Sequence, residues 1–402
     1  MKRVLFVADS LSVGGLEKSL INLLKFFDHE CYQVDLYLFN DGRDLLAELH
    51  EKVNLLPQSP CFHDFYCESI GKSVKKLACR GKLGLCFWRI LRMIKPRFFK
   101  LVHRPYNPDT PLDWHIKKKT MLKCQTHYDV AIGFAEGSAN HYVADCVDAT
   151  VKLGWVHTDV SHTAINLKQE RRMLSRLDNL VTVSENSKRA LVHFFPDLEE
   201  RIVVLPNLMD TQQIDLLSEQ TPEGMDLGEN CLKIVSVGRL VELKGFHLCP
   251  AVCRKLLDAG QRVHWYVIGE GEYRAAIERE IEKYGVASSF TLLGNRSNPY
   301  CYERAADICV QPSRYEGRGF AVEEEKYLRK PIVVTDIGAF REVIQNEVTG
   351  LIAAREPEAL FLAAQKLCSS AQLRQKLSRN LQNEFTPNWL ILDKIYALME
   401  QK

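Results

Sequence analysis

Short apolar runs alternate with longer helix-like segments along the whole chain. Continuous runs of Val, Ile and Leu between helices are typical of parallel strands covered on both faces. The pattern predicts an α/β fold of two doubly wound parallel sheets, with ligands at the carboxyl ends of the strands. The runs of the first half are 4–8, 34–39, 53–56, 130–134, 153–156, 180–183 and 202–205. Those of the second half are 232–237, 263–268, 290–293, 308–311, 332–335 and 351–353.

The break between the two sheets is predicted in a polar stretch with little apolar periodicity. This stretch carries the turn residues Thr221, Pro222 and Gly224, which favour irregular backbone. We therefore expect a first domain at 1–207, a linker at 208–230 and a second domain at 231–387.

Composition narrows the class of protein. The 402 residues suit two domains of ordinary size, each able to bury its own core. A formal net charge of +2 gives no indication of a partner. The 13 cysteines include no Cys-x-x-Cys pair, which is typical of reduced thiols in a cytosolic protein. The first apolar run stops at Asp9, so no secretory signal is expected, and no run reaches transmembrane length.

Two carboxylates, Glu316 and Glu324, flank a glycine-containing turn between a predicted strand and a predicted helix. Backbone N–H groups at a helix start attract phosphate, and carboxylates accept hydrogen bonds from hydroxyls. A nucleotide-sugar carries both groups and fits this pattern. The alternative is a solvated acidic helix face, since Glu323 and Glu325 lie beside Glu324.

Two cations, Arg239 and Lys244, follow the predicted strand 232–237 at its carboxyl end. Positive side chains there can neutralise a diphosphate, and do so more strongly once a leaving group gains charge. The alternative is an ordinary solvated loop. The Glu316 motif downstream favours the diphosphate site.

Five landmarks of the second half occur in the order found in a known enzyme family. They are the segments 237–246, 267–271, 293–294, 307–324 and 331–350. With them the second half resembles the donor-binding domain of family 4 of the retaining glycosyltransferases, which have the GT-B fold. The first half resembles the family more loosely, through Gly14-Gly15 and the segments 155–157 and 183–184.

The resemblance implies two facing Rossmann-like domains with a cleft between them, the donor on the second and the acceptor on the first. It assigns Arg239 and Lys244 to the diphosphate. It assigns Glu316 to the sugar and diphosphate, and Glu324 to the ribose hydroxyls. It further implies that the helix 388–402 packs back on the first domain. The remaining donor contacts it implies are at Gly14, Gly15, Gly238, Gly319, Phe320 and Ala321.

Two positions of the motif depart from the family. Arg318 replaces the usual aromatic residue, and Arg329 stands where the family usually has glycine. Arg318 either recognises an acidic or unusual sugar or points to water. These departures leave open a non-catalytic homologue that binds membrane.

In the first half, Gly14 and Gly15 follow the first strand, but the residues after them fit neither a P-loop nor a dinucleotide fingerprint. The pair allows close approach of a ligand or is a simple turn. His157 ends another strand, where imidazole could contact the sugar or handle the acceptor proton because it titrates near neutral pH. A structural histidine is the alternative. Glu136 ends the preceding strand and is a candidate acceptor contact.

No metal ion and no cofactor are expected. The chain has no Asp-x-Asp pair and no histidines at zinc-ligand spacing. Fixed cations and helix N-termini would then do the work of a divalent ion.

The interval 72–104 contains no acidic residue. Its basic side chains alternate with aliphatic and aromatic ones, as in segments attracted to an anionic membrane surface. The alternative is a basic helix pair covering the first sheet. Nucleic acid would also accept such a patch, but we do not expect it as a partner.

The sequence therefore predicts a retaining, metal-independent glycosyltransferase of the hexosyltransferase type. The donor would be a UDP- or GDP-sugar, and the acceptor a glycan or a lipid-linked glycan of surface polysaccharide or glycolipid biosynthesis. We expect it in the cytoplasm, peripheral on the inner face of the membrane. A nucleotide-sugar epimerase of the same fold is the alternative enzyme.

Overall fold

The structure is a computed structural model that describes residues 1–12, 14–101, 110–162, 166–228, 231–383 and 388–401. The chain divides into two compact units. The first comprises Met1–Val183, Ser187–Leu205 and Ile391–Lys402, and the second comprises Ser184–Asn186 and Pro206–Leu390.

The first unit is built on a parallel sheet of seven strands within the described residues, in the order β3-β2-β1-β4-β5-β6-β7. Its central strands are buried along most of their length, as apolar runs covered on both faces require. The strands are β1 Lys2–Ala8, β2 Tyr32–Leu38, β3 Asn54–Leu55, β4 His127–Gly133, β5 Asp148–Val156, β6 Asn179–Thr182 and β7 Ile202–Val204.

Helices connect these strands and cover the sheet. The helix α5 shows how the sequence sets a boundary: Pro111 occupies its first turn, and the Thr110 hydroxyl accepts a hydrogen bond from the Asp113 N–H. The helices are α1 Gly15–Phe26, α2 Pro60–Phe62, α3 Ile70–Cys79, α4 Leu83–Leu101, α5 Pro111–Thr120, α6 Ser138–Cys146, α7 Leu167–Leu174 and α8 Glu185–Phe194.

The second unit contains a parallel sheet of six strands among the described residues, in the order β10-β9-β8-β11-β12-β13. Its strands are β8 Leu232–Val237, β9 Val263–Ile268, β10 Phe290–Gly294, β11 Ile308–Gln311, β12 Ile332–Thr335 and β13 Leu351–Ala353. Its helices are α9 Thr211–Ser218, α10 Cys249–Asp258, α11 Arg274–Tyr284, α12 Tyr300–Ala305, α13 Phe320–Tyr327, α14 Gly338–Val343, α15 Pro357–Ser369 and α16 Ala371–Asn380.

Each apolar run of the sequence analysis coincides with a strand, so the prediction of two doubly wound parallel sheets is confirmed. In both sheets the order in which the strands are added reverses once, although all strands are parallel. The chain runs outward from β1 to β3 and then crosses to β4, and it runs from β8 to β10 and then crosses to β11. Crevices at the carboxyl ends of strands at such a switch point are the usual ligand sites of this architecture.

The stretch expected to be a linker, 208–230, contains the helix α9. The Asp210 side chain caps it by accepting from the Gln213 N–H at 3.0 Å. Ile214 is buried against Met209 and Tyr300. The helix has few buried positions, which explains the weak periodicity of its sequence.

The last helix, α17 (Asn388–Met399), packs on the first unit. The Tyr396 hydroxyl accepts from the Asp28 N–H at 2.8 Å, and the Tyr396 ring stacks on Tyr32 with centroids 5.4 Å apart. Its buried apolar face consists of Ile391, Ile395, Leu398 and Met399. Pro387, just before this helix, lies outside the described residues.

Candidate functional site

The loops after β8 and β11 meet at the switch point of the second sheet. The Lys244 ammonium donates to Glu316 Oε1 at 2.6 Å, and the Ser313 hydroxyl donates to the same oxygen at 2.7 Å. Both members of the ion pair are partly exposed, at 25% for the Lys244 side chain and 15% for that of Glu316. The pair joins two of the residues that the sequence analysis singled out separately.

Gly245 allows these two loops to touch. Its φ is +69°, in the left-handed region. A Cβ at this position would lie 2.1 Å from the Pro312 carbonyl oxygen. Only glycine fits both requirements, and the close contact brings Lys244 to Glu316.

Arg239 lies two residues beyond the end of β8 and is exposed. Among the described residues its guanidinium has no hydrogen-bond or ion-pair partner. The backbone on either side is fixed, since Gly238 N–H donates to Ile268 O and Leu240 N–H donates to Glu270 O. A cation held on a fixed backbone at the carboxyl edge of a sheet is available to an anion.

The helix α13 begins directly after the Glu316 loop. Gly319 precedes it with φ +87°, where a Cβ would lie 2.5 Å from a Phe340 ring carbon. The Glu323 N–H bonds back to the Gly319 carbonyl at 3.2 Å. The amides of Phe320 and Ala321 come before this first bond, at the positive end of the helix dipole.

Glu324 lies about one turn into α13, as predicted, and is only 4% exposed. Its Oε1 accepts from the Tyr300 hydroxyl at 2.9 Å. Glu325 is fully buried and accepts from the Gln311 side-chain amide at 2.6 Å. Burial raises the pKa of Glu325 to about 8. These acidic side chains therefore do not form a solvated helix face, which was the alternative interpretation.

Arg318 does not point freely to water. Its Nε donates to Glu323 Oε1 at 2.6 Å, and both side chains are largely buried. Burial raises the pKa of Glu323, and the nearby Arg318 charge opposes the shift. The positive charge of Arg318 is thus compensated within the same turn.

In the first unit, Gly14 is the N-terminal cap of α1 and its carbonyl accepts from Lys18 N–H at 3.0 Å. Its φ of −172° is extended, and an added Cβ would meet only the flexible end of Glu17. The conformation of Gly14 thus does not require glycine. Close approach of a ligand to Gly14 and Gly15 stays a prediction.

His157 follows β5 and is buried against the Phe134 ring, with centroids 4.8 Å apart. Desolvation lowers the pKa of the His157 imidazole to about 3, with a backbone hydrogen bond at Phe134 opposing the shift. The expectation that it titrates near neutral pH is therefore wrong, and the ring is neutral under physiological conditions. The backbone N–H of His157, not its ring, donates to Glu136 Oε2 at 3.0 Å.

A cavity of about 340 Å³ lies in the first unit, and sequence reasoning missed most of its polar lining. Glu136 lines it, while His157 does not. The lining comes from segments far apart in the chain, so no local motif marks it. The polar and aromatic residues around it are Asp9, Tyr66, Trp88, Arg92, Thr110, Asp113, Trp114, Lys117, Glu136, Ser138, His141, Asn166, Gln169 and Glu170.

The basic interval of the sequence, 72–104, covers most of α3 and all of α4. One face of α4 packs Leu85 and Cys86 into the unit. Along the described part of the chain, no helix has the length and apolar character that a membrane crossing needs. The side chains of 95–101 and the residues 102–109 lie outside the description. The opposite face of α4 exposes an apolar stripe, Leu83, Phe87, Ile90 and Ile94.

The chain is similar to known glycosyltransferases. Residues 219–384 match the family model of the glycosyl transferases group 1. The chain is 34% identical over 195 residues to the lipopolysaccharide core biosynthesis mannosyltransferase LpsB of Rhizobium meliloti, a match covering 46% of this chain and 53% of that protein. It is 26% identical over 151 residues to the alpha-D-kanosaminyltransferase of Streptomyces kanamyceticus, covering 37% and 39% respectively. These matches span about half or less of each relative.

The fold has solved counterparts over its whole length. Anabaena Alr3699/HepE, determined in complex with UDP and glucose, has a TM-score of 0.71 to this chain at 17% identity, with 99% of each chain covered. The fold class is therefore GT-B, as predicted. The match of residues 219–384 to the group 1 glycosyltransferase model confirms the predicted resemblance for the second unit. Assignment to family 4 stays a prediction.

Proposed function

We propose that this protein is a retaining glycosyltransferase that transfers a hexosyl group from a UDP- or GDP-sugar to a glycan or lipid-linked acceptor. One observation carries the proposal. At the switch point of a group 1 domain, the exposed Arg239 and the Lys244–Glu316 pair lie on the loops of two adjacent strands, next to the start of α13. This arrangement suits a diphosphate attached to a sugar.

The cations would act on the leaving group. As the glycosidic bond breaks, negative charge develops on the departing diphosphate, and fixed positive groups stabilise it more than they stabilise the bound donor. Lys244 is held in place by Glu316 and needs little reorganisation. Arg239 supplies the second charge, and the amides of Phe320 and Ala321 can donate to phosphate or sugar oxygens.

Glu324 would hold the nucleoside. A buried carboxylate fixed by Tyr300 accepts hydrogen bonds from ribose hydroxyls in a defined direction. Gly238 and Gly319, without side chains, allow the ligand to approach the backbone closely. Because Arg239, Lys244 and the helix terminus supply the positive charge, the proposal requires neither a metal ion nor a cofactor.

The acceptor would bind the first unit. Glu136 lines the cavity there, and its two oxygens accept from His157 N–H and the Thr158 hydroxyl. With its pKa lowered to about 3, His157 would serve as a neutral positioning residue rather than as an acid or base. The similarity to LpsB, a mannosyltransferase of lipopolysaccharide core biosynthesis, and the UDP and glucose bound to HepE support a role in surface glycan synthesis with a UDP-type donor.

A panel of nucleotides tests the donor assignment. UDP, GDP and their hexosyl derivatives are added at saturating concentration, with UMP and GMP as controls that lack the second phosphate. A ligand at 100 times its Kd stabilises the folded state by about 2.7 kcal/mol, which corresponds to roughly 5–10 °C in Tm. Equal shifts with mono- and diphosphates would contradict the proposed cation site. Incubation with donor alone, followed by analysis for an isomerised sugar, tests the epimerase alternative.

We also propose that α3 and α4 contact an anionic membrane surface. The exposed stripe of Leu83, Phe87, Ile90 and Ile94 supplies an apolar face, and exposed Lys72, Lys75 and Lys82 lie nearby along the chain. Sedimentation with vesicles of anionic phospholipid at low salt measures this. Phe87→Glu should reduce the bound fraction, whereas Leu216→Glu, a matched change at an exposed residue of the second unit, should not. Equal sedimentation of both variants would contradict the membrane contact.

A further inference from the structure

The cavity of the first unit has the dimensions of a small-ligand site. Its volume of about 340 Å³ lies at the lower end of the range for such pockets. Asp9 and Glu136, just beyond β1 and β4, lie at the switch point of the sheet. The helices α4, α5, α6 and α7 contribute further walls. The position is therefore one where this architecture places a ligand.

Gln169 gives the cavity an unsatisfied donor. The residue is only 3% exposed, and among the described residues its side-chain Nε2 has no hydrogen-bond partner. The backbone N–H of Gln169 donates to Asn166 Oδ1 at 3.1 Å, so the cap of α7 does not involve the Gln169 side-chain amide. Buried polar groups are almost always paired. Gln169 is one of the residues that line the cavity, and a ligand oxygen placed beside it would satisfy this donor.

A second buried polar group has a fixed orientation. His141 Nε2 lies 2.7 Å from Glu170 Oε2, and both residues are more than nine-tenths buried. The Trp114 ring packs edge-on against the His141 ring, with centroids 5.1 Å apart. Carboxylate and imidazole groups held in this way can accept or donate hydrogen bonds with a hydroxyl.

The charges of the cavity disfavour an anion. Among the described residues that line it, four are carboxylates and two are cations, which gives a formal charge of 2 − 4 = −2 with His141 counted as neutral. Both cations lie over the Tyr66 ring, Arg92 at 4.4 Å and Lys117 at 5.5 Å from its centroid. The carboxylates are Asp9, Asp113, Glu136 and Glu170.

Aromatic surfaces complete the chemistry. Trp88, Trp114 and Tyr66 line the same cavity as the polar groups. A sugar ring presents apolar C–H faces and a rim of hydroxyls, and so matches aromatic walls combined with hydrogen-bonding groups. A phosphate or a uronate would instead place a negative charge beside four carboxylates.

We propose that this cavity binds a neutral, hydroxyl-bearing pyranose unit and that the Gln169 amide donates to one of its oxygens. The identity of this sugar as the terminal unit of the acceptor rests on the proposed glycosyltransferase function. Binding itself does not, because every residue of the cavity belongs to the first unit. Gln169 is then the residue that selects sugars with an oxygen at the contacted position.

The test is a titration of the full chain with each of three methyl glycosides in the absence of nucleotide. Binding is monitored by saturation-transfer NMR. The probes are methyl α-D-glucopyranoside, methyl α-D-mannopyranoside and methyl α-D-glucuronide, which adds one negative charge. We expect at least one neutral glycoside to bind at least about tenfold more tightly than the glucuronide. Gln169→Leu should weaken binding of that glycoside roughly 5- to 150-fold, as loss of a buried hydrogen bond does.

Thermal unfolding separates a ligand contact from a structural role. Because the Gln169 Nε2 atom has no hydrogen-bond partner in the described part of the chain, Gln169→Leu should leave the Tm unchanged or raise it. A structural amide would lower the Tm instead. Gln33→Leu, at an exposed site of β2, is the matched control and should keep wild-type glycoside binding.

Three results would overturn the proposal: no binding of either neutral glycoside, tighter binding of the glucuronide, or wild-type affinity in Gln169→Leu. None of them depends on a donor. If the neutral glycosides bind as expected while no nucleotide stabilises the protein, the cavity assignment stands and the proposed transferase function fails. If nucleotides stabilise the protein while no neutral glycoside binds, the donor site stands and the assignment of the cavity fails.

Discussion

The sharpest consequence of the donor-site geometry concerns Arg239→Ala. The guanidinium of Arg239 is exposed and has no partner within the described part of the chain, while the backbone on both sides is hydrogen-bonded to the β9 loop. Removing the side chain therefore breaks no described interaction of the fold. Surface substitutions of this kind change the free energy of unfolding by about 0.5 kcal/mol or less.

The effect on catalysis should be much larger. Removing one preorganised group that stabilises transition-state charge typically costs about 2.7–4 kcal/mol, or roughly 100- to 1,000-fold in kcat. Lys244 remains in the variant, so residual activity is expected. The predicted signature is thus a nearly unchanged Tm together with a kcat reduced by about two to three orders of magnitude.

The assay measures release of nucleoside diphosphate from the nucleotide-sugar that gives the largest thermal shift, with water or a glycan as acceptor. Arg279→Ala serves as the matched control, since Arg279 is an exposed arginine on α11 of the same unit. If Arg239→Ala turns over at the rate of Arg279→Ala, the diphosphate is not where we place it. A large loss of Tm would also refute the reasoning, because it would show a structural role.

Two further predictions concern α13 and the residues that follow it. Burial raises the pKa of Glu325 from its ordinary value near 4.5 to about 8. The buried side chain stabilises the fold best when it is protonated, so its contribution to the free energy of unfolding is complete below pH 4.5 and is lost as the pH rises to about 8. Glu325→Gln should therefore gain in Tm relative to wild type between pH 5.5 and 8, whereas exposed Glu282→Gln should not; parallel curves would argue against this. Arg329 has φ +57°, which costs a non-glycine residue about 1–2 kcal/mol. Arg329→Gly should be neutral or raise stability by up to about 1 kcal/mol in denaturant unfolding, and a clear loss would show that the Arg329 side chain stabilises the fold.

The strands could be read from the sequence because both sheets are parallel and buried on both faces. Such strands appear as continuous apolar runs, and in the second unit the run 232–237 coincides with β8 residue for residue. The positions of Arg239 and Glu316 then followed from the strand ends. The contact between Lys244 and Glu316 requires only that β8 and β11 are neighbours in the sheet.

The environments of the acidic residues could not be read in the same way. Residue type alone does not show that Glu324 and Glu325 are buried, and their hydrogen-bond partners, Tyr300 and Gln311, lie 24 and 14 positions earlier in the chain. The low pKa of His157 likewise arises from packing against Phe134. Gln169 carries no sequence signal, because its significance lies in the lack of a hydrogen-bond partner for its Nε2 atom among the described residues.

The return of α17 to the first unit sets an order for biosynthesis. The aromatic cluster of Phe27 and Tyr32 is completed by Tyr396, and the ribosome delivers Tyr396 only after the entire second unit has emerged. During translation this apolar edge of the first unit therefore stays exposed until Tyr396 has been synthesised, whereas the second unit can complete its folding before then. Nascent chains stalled before residue 391 should consequently be the species that chaperones retain.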